Sequence, residues 1–95
     1  MIYKNILDAI GNTPLVKIPF DCPGTLYAKL EYLNPGGSVK DRSALFMIEE
    51  AERTGKLKPG GTIVDASSGN QGIATAMIGT IKGYKVIITC PQKTS

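Results

Sequence analysis

Hydrophobic positions along the chain recur with two periods, and the change of period separates predicted strands from predicted helices. Short apolar or alternating runs indicate strands at Leu15–Ile18 and at residues 25–33. Apolar residues three and four positions apart indicate a two-turn helix at residues 3–10 and a longer helix that ends near residue 54. The longer helix is expected to bury Ala44, Met47, Ile48 and Ala51 and to turn Glu49, Glu50, Glu52 and Arg53 outward.

The second half of the chain reads as one β-α-β unit. The mostly apolar run Thr62–Ala66 is typical of a strand buried in a parallel sheet, and a second such strand is predicted at residues 84–89. Between them a helix is predicted at residues 73–82, and it is apolar nearly all round, so it needs cover on more than one side. Gly55 and Gly83 are predicted to end the two long helices. This order of elements predicts an α/β fold class with a parallel sheet.

Composition narrows the class of protein. The chain has 95 residues, of which 42% are hydrophobic and 20% charged, as in an ordinary globular domain. Its net charge of +3 comes from dispersed lysines, so no nucleic-acid partner is expected. No apolar run reaches the roughly 20 residues that span a bilayer, and the first residues carry no signal-peptide pattern, so we expect a cytoplasmic protein without a membrane partner. The absence of histidine and the distance between the two cysteines argue against a metal site.

The first candidate for chemistry is Lys40, which follows the segment NPGG at residues 34–37 and precedes a helix. Two glycines behind a proline give a loop that can approach a ligand closely, and Ser38 or its neighbour can cap the helix. Lys40 then lies in the first turn, where the helix dipole disfavours the charged amine and so favours the nucleophilic, neutral form. The alternative interpretation is a solvated lysine whose charge is offset by Asp41.

The second candidate is the segment SSGNQG at residues 67–72, between a predicted strand and a predicted helix. Free backbone N–H groups and the helix dipole make such a position suitable for an anion. The two hydroxyls and Asn70 add donors, and Gly69 and Gly72 allow close backbone approach. The segment lacks the glycine spacing of a dinucleotide site and the Gly-Lys-Ser/Thr of a nucleotide phosphate loop. The alternative interpretation is a capped helix after an ordinary β-α turn.

These segments carry a family resemblance. The sequence GSVKDR at residues 37–42 resembles the lysine motif of the pyridoxal-phosphate enzymes typified by cysteine synthase and cystathionine β-synthase. SSGN at residues 67–70 and GNTPLV at residues 11–16 are similar to two further segments of that family. The resemblance covers nearly the whole chain and implies fold type II, a three-layer sandwich to which this chain would contribute parallel β-α-β units. It also implies that Lys40 binds the cofactor, pyridoxal 5'-phosphate, through a Schiff base.

The resemblance assigns the second segment to a small amino-acid substrate. It implies that the α-carboxylate of the substrate is received by five consecutive residues, and that the fourth of them also hydrogen-bonds the ring hydroxyl oxygen of the cofactor. In the family pattern a threonine is expected at the fifth position, where this chain has glutamine, so the identity of the substrate stays open. The five residues are Ser67, Ser68, Gly69, Asn70 and Gln71.

The implied reaction is β-elimination followed by β-replacement at a serine-derived amino acid, as in the formation of L-cysteine from O-acetylserine. The amine of Lys40, once displaced by the substrate amine, would be the general base for the α-proton. Three alternatives stay open: a cystathionine β-synthase or serine/threonine dehydratase on the same scaffold, a non-catalytic truncated paralogue, and a structural β-α fragment whose motifs are coincidental.

The resemblance also implies a domain organisation. Family members are much longer, and their glycine-rich loop for the cofactor phosphate and their contact to the pyridine nitrogen come later in the sequence. We therefore expect residues 1–95 to be one fragment that is inactive alone, with residues 1–35 giving N-terminal strands of the larger domain and residues 36–95 the first part of the smaller α/β domain. The complete protein is expected to be a homodimer.

Overall fold

The computed structural model describes residues 2–92. Four strands and two long helices account for most of the regular structure, and two short 3-10 helices lie in the N-terminal part. In chain order they are a 3-10 helix at Ile6–Ala9, β1 at Leu15–Ile18, β2 at Leu26–Lys29, a 3-10 helix at Glu31–Leu33, α1 at Lys40–Arg53, β3 at Thr62–Ala66, α2 at Gly69–Ile81 and β4 at Lys85–Thr89.

The strands form two separate two-stranded sheets. Strands β1 and β2 are antiparallel, and their register pairs Leu15 with Lys29 and Ile18 with Leu26. Strands β3 and β4 are parallel, with Val64 opposite Ile87, and α2 provides the crossover between them. The predicted parallel β-α-β unit is therefore confirmed.

The core lies where α1 crosses α2 and where α2 covers one face of the β3-β4 sheet. Its buried hydrophobic members are two alanines and three larger residues: Ala44, Ala74, Ile48, Ile78 and Tyr84. Gly79 makes the closest approach between α2 and the sheet, because a Cβ atom there would lie 2.5 Å from Cγ2 of Val86. The predicted burial of Ala44 and Ile48 on α1 is confirmed, whereas Met47 is 54% exposed.

A polar cluster joins the ends of the two long helices. The phenol of Tyr84 donates to Oε2 of Glu52 at 2.6 Å, and Nζ of Lys82 donates to Oε1 of the same carboxylate at 3.0 Å. The bond from Tyr84 lowers the pKa of Glu52, and the same carboxylate raises the pKa of Tyr84. Glu52, which was predicted to face outward, is half-buried, with its carboxylate bound by Lys82 and Tyr84.

Two predictions for the N-terminal part were too long. Of residues 3–10 only Ile6–Ala9 is helical, as a single 3-10 turn capped by Asn5, whose side chain accepts the N–H of Leu7 at 2.8 Å. The strand predicted at residues 25–33 stops at Lys29, and a 3-10 helix follows at Glu31–Leu33. In this 3-10 helix the carboxylate of Glu31 binds Arg42.

Helix α2 begins four residues earlier than residue 73, at Gly69. Gly69 itself has a φ of +62°, a value that suits glycine and lets the chain turn into the helix directly after Ser68. Asn70 and Gln71 are therefore in the first turn of α2 and not in a loop. The predicted ends are confirmed, since Gly55 and Gly83 follow their helices with φ values of +79° and +87°.

One face of the β-α-β unit is uncovered in this chain. The side chains of Val64 and Ile87 are 67% and 42% exposed on the side of the β3-β4 sheet away from α2. Helix α2 is apolar nearly all round, as predicted, but its side chains Ile73 and Ile81 are 54% and 43% exposed, so part of its apolar surface faces solvent.

Within residues 2–92 neither long helix is long and apolar enough to cross a bilayer.

Candidate functional site

Lys40 is presented at the start of α1 by a tight turn. The turn is closed by a 2.8 Å bond from the N–H of Gly37 to the carbonyl of Asn34, and Gly37 has a φ of +87°. The hydroxyl of Ser38 accepts the N–H of Lys40 at 3.1 Å, whereas Val39, the N-cap residue, makes no side-chain cap bond. The side chain of Lys40 is exposed, and among the described residues its amine makes no hydrogen bond or ion pair. The predicted position in the first helical turn is confirmed.

Asp41, next to Lys40 in sequence, points the other way. Its side chain is completely buried, and Oδ2 accepts the N–H of Gly36 at 2.5 Å. Lys40 is solvent-exposed, as the alternative interpretation expects, whereas the carboxylate of Asp41 faces the turn from inside the protein. Lys40 also lies at the positive end of the α1 dipole.

A group of four polar side chains, the Glu31 cluster, anchors the start of α1 to the N-terminal segment. It consists of Thr13, Glu31, Asn34 and Arg42. Glu31 accepts from Nε of Arg42 at 2.6 Å, from Oγ1 of Thr13 at 2.5 Å and from Nδ2 of Asn34 at 3.1 Å. Together these donors, with Arg42 contributing most, lower the pKa of Glu31 to about 2. The carboxylate in turn raises the pKa of Arg42.

The Glu31 cluster also reaches Gly11. Nη2 of Arg42 donates to the carbonyl of Gly11 at 2.9 Å, and Oδ1 of the buried Asn34 accepts the Gly11 N–H at 2.8 Å. The segment of residues 11–16 is thereby placed beside the turn that carries Lys40. The Glu31 cluster could not be predicted from the sequence, because its members are spread over residues 13–42 and the alternation of residues 25–33 indicates only a strand. The one sequence feature that pointed to the Glu31 cluster was Arg42, which belongs to the family-like segment at residues 37–42.

The second candidate segment forms the amino end of α2. Ser68 precedes the helix in an extended conformation and makes no side-chain cap bond, and the first N–H groups of a helix have no partner within it. The hydroxyl of Ser67 is buried and has no hydrogen-bond partner among the described residues. Gly72 packs closely beside it, since a Cβ there would lie 3.4 Å from Ser67 Oγ and 3.2 Å from Cγ2 of Ile88. A groove of about 270 Å³ is lined by Ser67, Ser68, Gly69, Gly72, Ile73 and Cys90, with further apolar contributions.

Ser43 and Gln71 connect the two candidate segments. The hydroxyl of Ser43 lies 3.1 Å from the carbonyl oxygen of Lys40 and 3.3 Å from Oε1 of Gln71, and its single proton can serve only one of them at a time. Nε2 of Gln71 lies 3.4 Å from Oγ1 of Thr75, which donates to Asp65 at 2.9 Å. The amino ends of α1 and α2 are therefore neighbours, as the joint assignment of Lys40 and residues 67–71 requires.

The residues fit a cofactor that is held by an amine and works on an anionic substrate. Lys40 opens onto a shallow groove of about 600 Å³ formed by the first turns of α1. The buried, unpartnered hydroxyl of Ser67 and the free N–H groups of α2 offer donors to an anion. Asn70 is exposed at the same helix end. Within residues 2–92 no group of acidic or cysteine side chains is arranged to hold a metal ion.

Comparison with known proteins gives a consistent result. A family model described as "Pyridoxal-phosphate dependent enzyme" matches residues 6–95. A cysteine synthase of Staphylococcus aureus is 55% identical over 94 residues, which cover 96% of this chain and 30% of the relative. A cystathionine beta-synthase of Apis mellifera is 52% identical over an alignment of 99 positions, which covers 99% of this chain and 20% of the relative.

A solved structure supports the fold. A hydrogen sulfide-producing enzyme of Fusobacterium nucleatum superposes with a TM-score of 0.91 at 47% identity, over 100% of this chain and 32% of that structure. The chain thus spans about a third of the length of the relatives it matches, or less.

Proposed function

Because the chain belongs to the pyridoxal-phosphate-dependent enzyme family and has the β-α units of fold type II, we propose that the protein catalyses β-elimination and β-replacement on a serine-derived amino acid. The observation that supports this most directly is Lys40. It is an exposed amine at the amino end of a long helix, in a segment where Ser38 accepts the N–H of Lys40 and which the Glu31 cluster anchors. A cysteine synthase-like activity is the form we favour, because the Staphylococcus aureus relative has the higher identity.

Lys40 has two roles in this proposal. It would hold pyridoxal phosphate covalently through Nζ, and after displacement by the amine of the substrate the same Nζ would take the α-proton. The cofactor, when bound, supplies an electron sink for the carbanion. The exposed position of Lys40 suits both roles, since Nζ carries no ion pair among the described residues that would have to break first.

The amino end of α2 would orient the substrate. Ser67, Ser68, Gly69 and Asn70 offer hydroxyl, amide and backbone donors to an α-carboxylate, where the helix dipole favours negative charge. Fixing this carboxylate determines which bond at the α-carbon is aligned for cleavage. Gln71 would take part through its amide, which lies between Ser43 and Thr75, and its length relative to the expected threonine would change the shape of the pocket.

The second candidate is a cystathionine β-synthase activity. The 52% identity to the Apis mellifera relative supports it almost as well. Full-length protein incubated with O-acetylserine and sulfide, or with serine and homocysteine, would form cysteine in the first case and cystathionine in the second. The faster reaction identifies the acceptor nucleophile.

The test of the shared chemistry is to trap the attached cofactor. Full-length protein is loaded with pyridoxal phosphate, reduced with borohydride, digested and mapped by mass spectrometry. We expect one pyridoxyl adduct, on Lys40. Lys40→Ala should abolish it, whereas Lys56→Ala, at an exposed lysine beyond the other end of α1, should keep it. An adduct on another lysine, or none in the unsubstituted protein, would refute the proposal.

A further inference from the structure

Two adjacent residues at the start of α1 have opposite environments. Lys40 is exposed, whereas the side chain of Asp41 is 0% exposed. Successive residues of a helix point about 100° apart, so one side of the first turn can face a ligand while the other faces the interior. Asp41 belongs to neither the Glu31 cluster nor the amino end of α2, and the proposed function does not use it.

The buried carboxylate of Asp41 holds the turn in front of Lys40. Oδ2 accepts the N–H of Gly36 at 2.5 Å, five residues back along the chain. In a capping box an acidic side chain of the first turn reaches back to an N–H just before the helix. Asp41 makes a similar bond to an N–H five residues before it. The hydroxyl of Ser38 makes a second bond in the same segment, since it accepts the N–H of Lys40. The turn is therefore fastened to the first helical turn at two points.

Gly36 fits closely against this carboxylate. A Cβ atom at position 36 would lie 2.2 Å from Oδ1 of Asp41 and 3.0 Å from its Cγ. Oδ1 itself is buried without a hydrogen-bond partner among the described residues. Leaving a buried carboxylate oxygen unpaired costs free energy, so a buried group of this kind calls for an explanation. The contact of Asp41 with the turn before Lys40 offers one.

We propose that Asp41 is a positioning residue, which clamps the Gly36–Gly37 turn from inside and so fixes the place from which Lys40 presents its amine. The inference rests on the proposed function for the identity of the group that Lys40 binds. Asp41 touches neither that group nor the substrate and acts through the turn alone. Loss of the clamp should therefore weaken attachment of the cofactor without removing the amine.

The experiment compares three variants of the full-length protein. Asp41→Ala removes the clamp. Asp41→Asn keeps its shape and one oxygen that can accept the Gly36 N–H, so it is the conservative variant and the one to use if Asp41→Ala does not fold. Ile48→Val, at a buried position on the same helix, is the control for general loss of packing. Two quantities are measured: hydrogen exchange of the Gly36 and Gly37 amides in cofactor-free protein, and the dissociation constant of pyridoxal phosphate from its visible absorbance.

We expect Asp41→Ala to speed exchange at Gly36 by about tenfold or more and to weaken cofactor binding by about tenfold. Asp41→Asn should recover most of both, and Ile48→Val should change cofactor binding by less than about twofold. Unchanged cofactor affinity in both Asp41 variants, with Lys40 still labelled, would overturn the inference while leaving the proposed function intact. Unsubstituted protein that takes up no cofactor would refute the proposed function, and with it any role of Asp41 in attachment. Slow exchange at Gly36 would then still show that the clamp exists.

Discussion

Arg42 binds Glu31 through two parallel hydrogen bonds, from Nε to Oε1 at 2.6 Å and from Nη2 to Oε2 at 3.1 Å. This two-pronged geometry is available to the planar guanidinium and not to a lysine ammonium. The pair joins the first turn of α1 to the 3-10 helix that follows β2, and the same guanidinium reaches the carbonyl of Gly11. Three segments that are distant in sequence are thus fixed around the turn that carries Lys40.

The first prediction concerns acid stability. The pKa of Glu31 is about 2 in the folded protein, against an ordinary value of 4.5. Because the folded-state pKa is the lower one, the unfolded chain binds more protons between these values, and stability falls as pH falls. The contribution of Glu31 is fully present above about pH 4.5 and is lost between about pH 4.5 and 2. Thermal unfolding measured across this window should show the loss.

Glu31→Gln should lower stability at neutral pH and flatten its dependence on pH in the same window. Glu49→Gln, on an exposed part of α1, is the matched control for removing one negative charge. If the two variants flatten the pH dependence equally, the interaction between Glu31 and Arg42 does not control the acid transition.

The second prediction separates two adjacent glycines. Gly36→Ala should cost about 1–3 kcal/mol, because its Cβ would overlap the carboxylate of Asp41. Gly37→Ala meets no atom within 4 Å, but its φ of +87° should cost about 1–2 kcal/mol of backbone strain. Adding Asp41→Ala should relieve the cost at Gly36 and not the cost at Gly37. Denaturant unfolding gives the free energy of unfolding for each single and double variant. If the cost of Gly36→Ala and the cost of Asp41→Ala simply add, as those of Gly37→Ala and Asp41→Ala should, the close contact between Gly36 and Asp41 is contradicted.

Much of the β-α-β unit could be predicted from the sequence, since β3, α2 and β4 are mostly apolar segments and Gly83 separates the helix from the second strand. The start of α2 could not be predicted, because a positive φ at Gly69 lets the helix begin at once, and local pattern does not distinguish that turn from a loop. The strand predicted through Glu31 failed for a different reason. The local alternation extends the strand through Glu31, whereas Arg42, the partner of this carboxylate, lies eleven residues away along the chain.

Some features of the candidate site could likewise be predicted from local sequence, and others depend on tertiary packing. Placing Lys40 in a first helical turn needed only the glycines before it and the apolar face after it, which are local features. The inward direction of Asp41 could not be read from its position beside Lys40, because it depends on how closely Gly36 approaches. The contact between Ser43 and Gln71 depends on the packing of α1 against α2, which sequence pattern does not specify.

The third prediction tests the contact between α2 and the sheet. In most helix interiors a change from glycine to alanine stabilises by about 1 kcal/mol. Gly79→Ala should instead destabilise by about 1–3 kcal/mol, because the new methyl would lie 2.5 Å from Val86 and 3.2 Å from Ile63. Gly24→Ala, where nothing lies within 4 Å, is the control and should change stability by less than about 1 kcal/mol. A Gly79→Ala variant more stable than the original would show that α2 sits further from the sheet.

The fourth prediction distinguishes the carboxylate of the substrate from the phosphate of the cofactor as the anion at α2. In full-length protein, Asn70→Ala should leave the cofactor content near normal and weaken binding of the amino-acid substrate. Loss of one charge-assisted hydrogen bond costs about 1.5–3 kcal/mol, which is about tenfold to a hundredfold in affinity. Substrate titration followed by absorbance gives the affinity. A variant that loses its cofactor but keeps its affinity for substrate would assign this helix end to the phosphate.

The last prediction concerns residues 1–95 as an isolated molecule, which we expect to self-associate and to hold pyridoxal phosphate poorly. Val64 and Ile87 lie opposite each other on the uncovered face of the parallel sheet, and parallel sheets are normally covered on both faces. An uncovered apolar sheet face favours association with further chains.

Sedimentation should show a mass that rises with concentration, and the double variant Val64→Thr with Ile87→Thr should reduce this rise while keeping strand-forming residues. Leu15→Thr, which removes a similarly exposed side chain from the other sheet, should have little effect. A monomer at all concentrations that unfolds cooperatively and retains cofactor through gel filtration would contradict the prediction, and would show that α2 and the β3-β4 sheet are stable with one face in water.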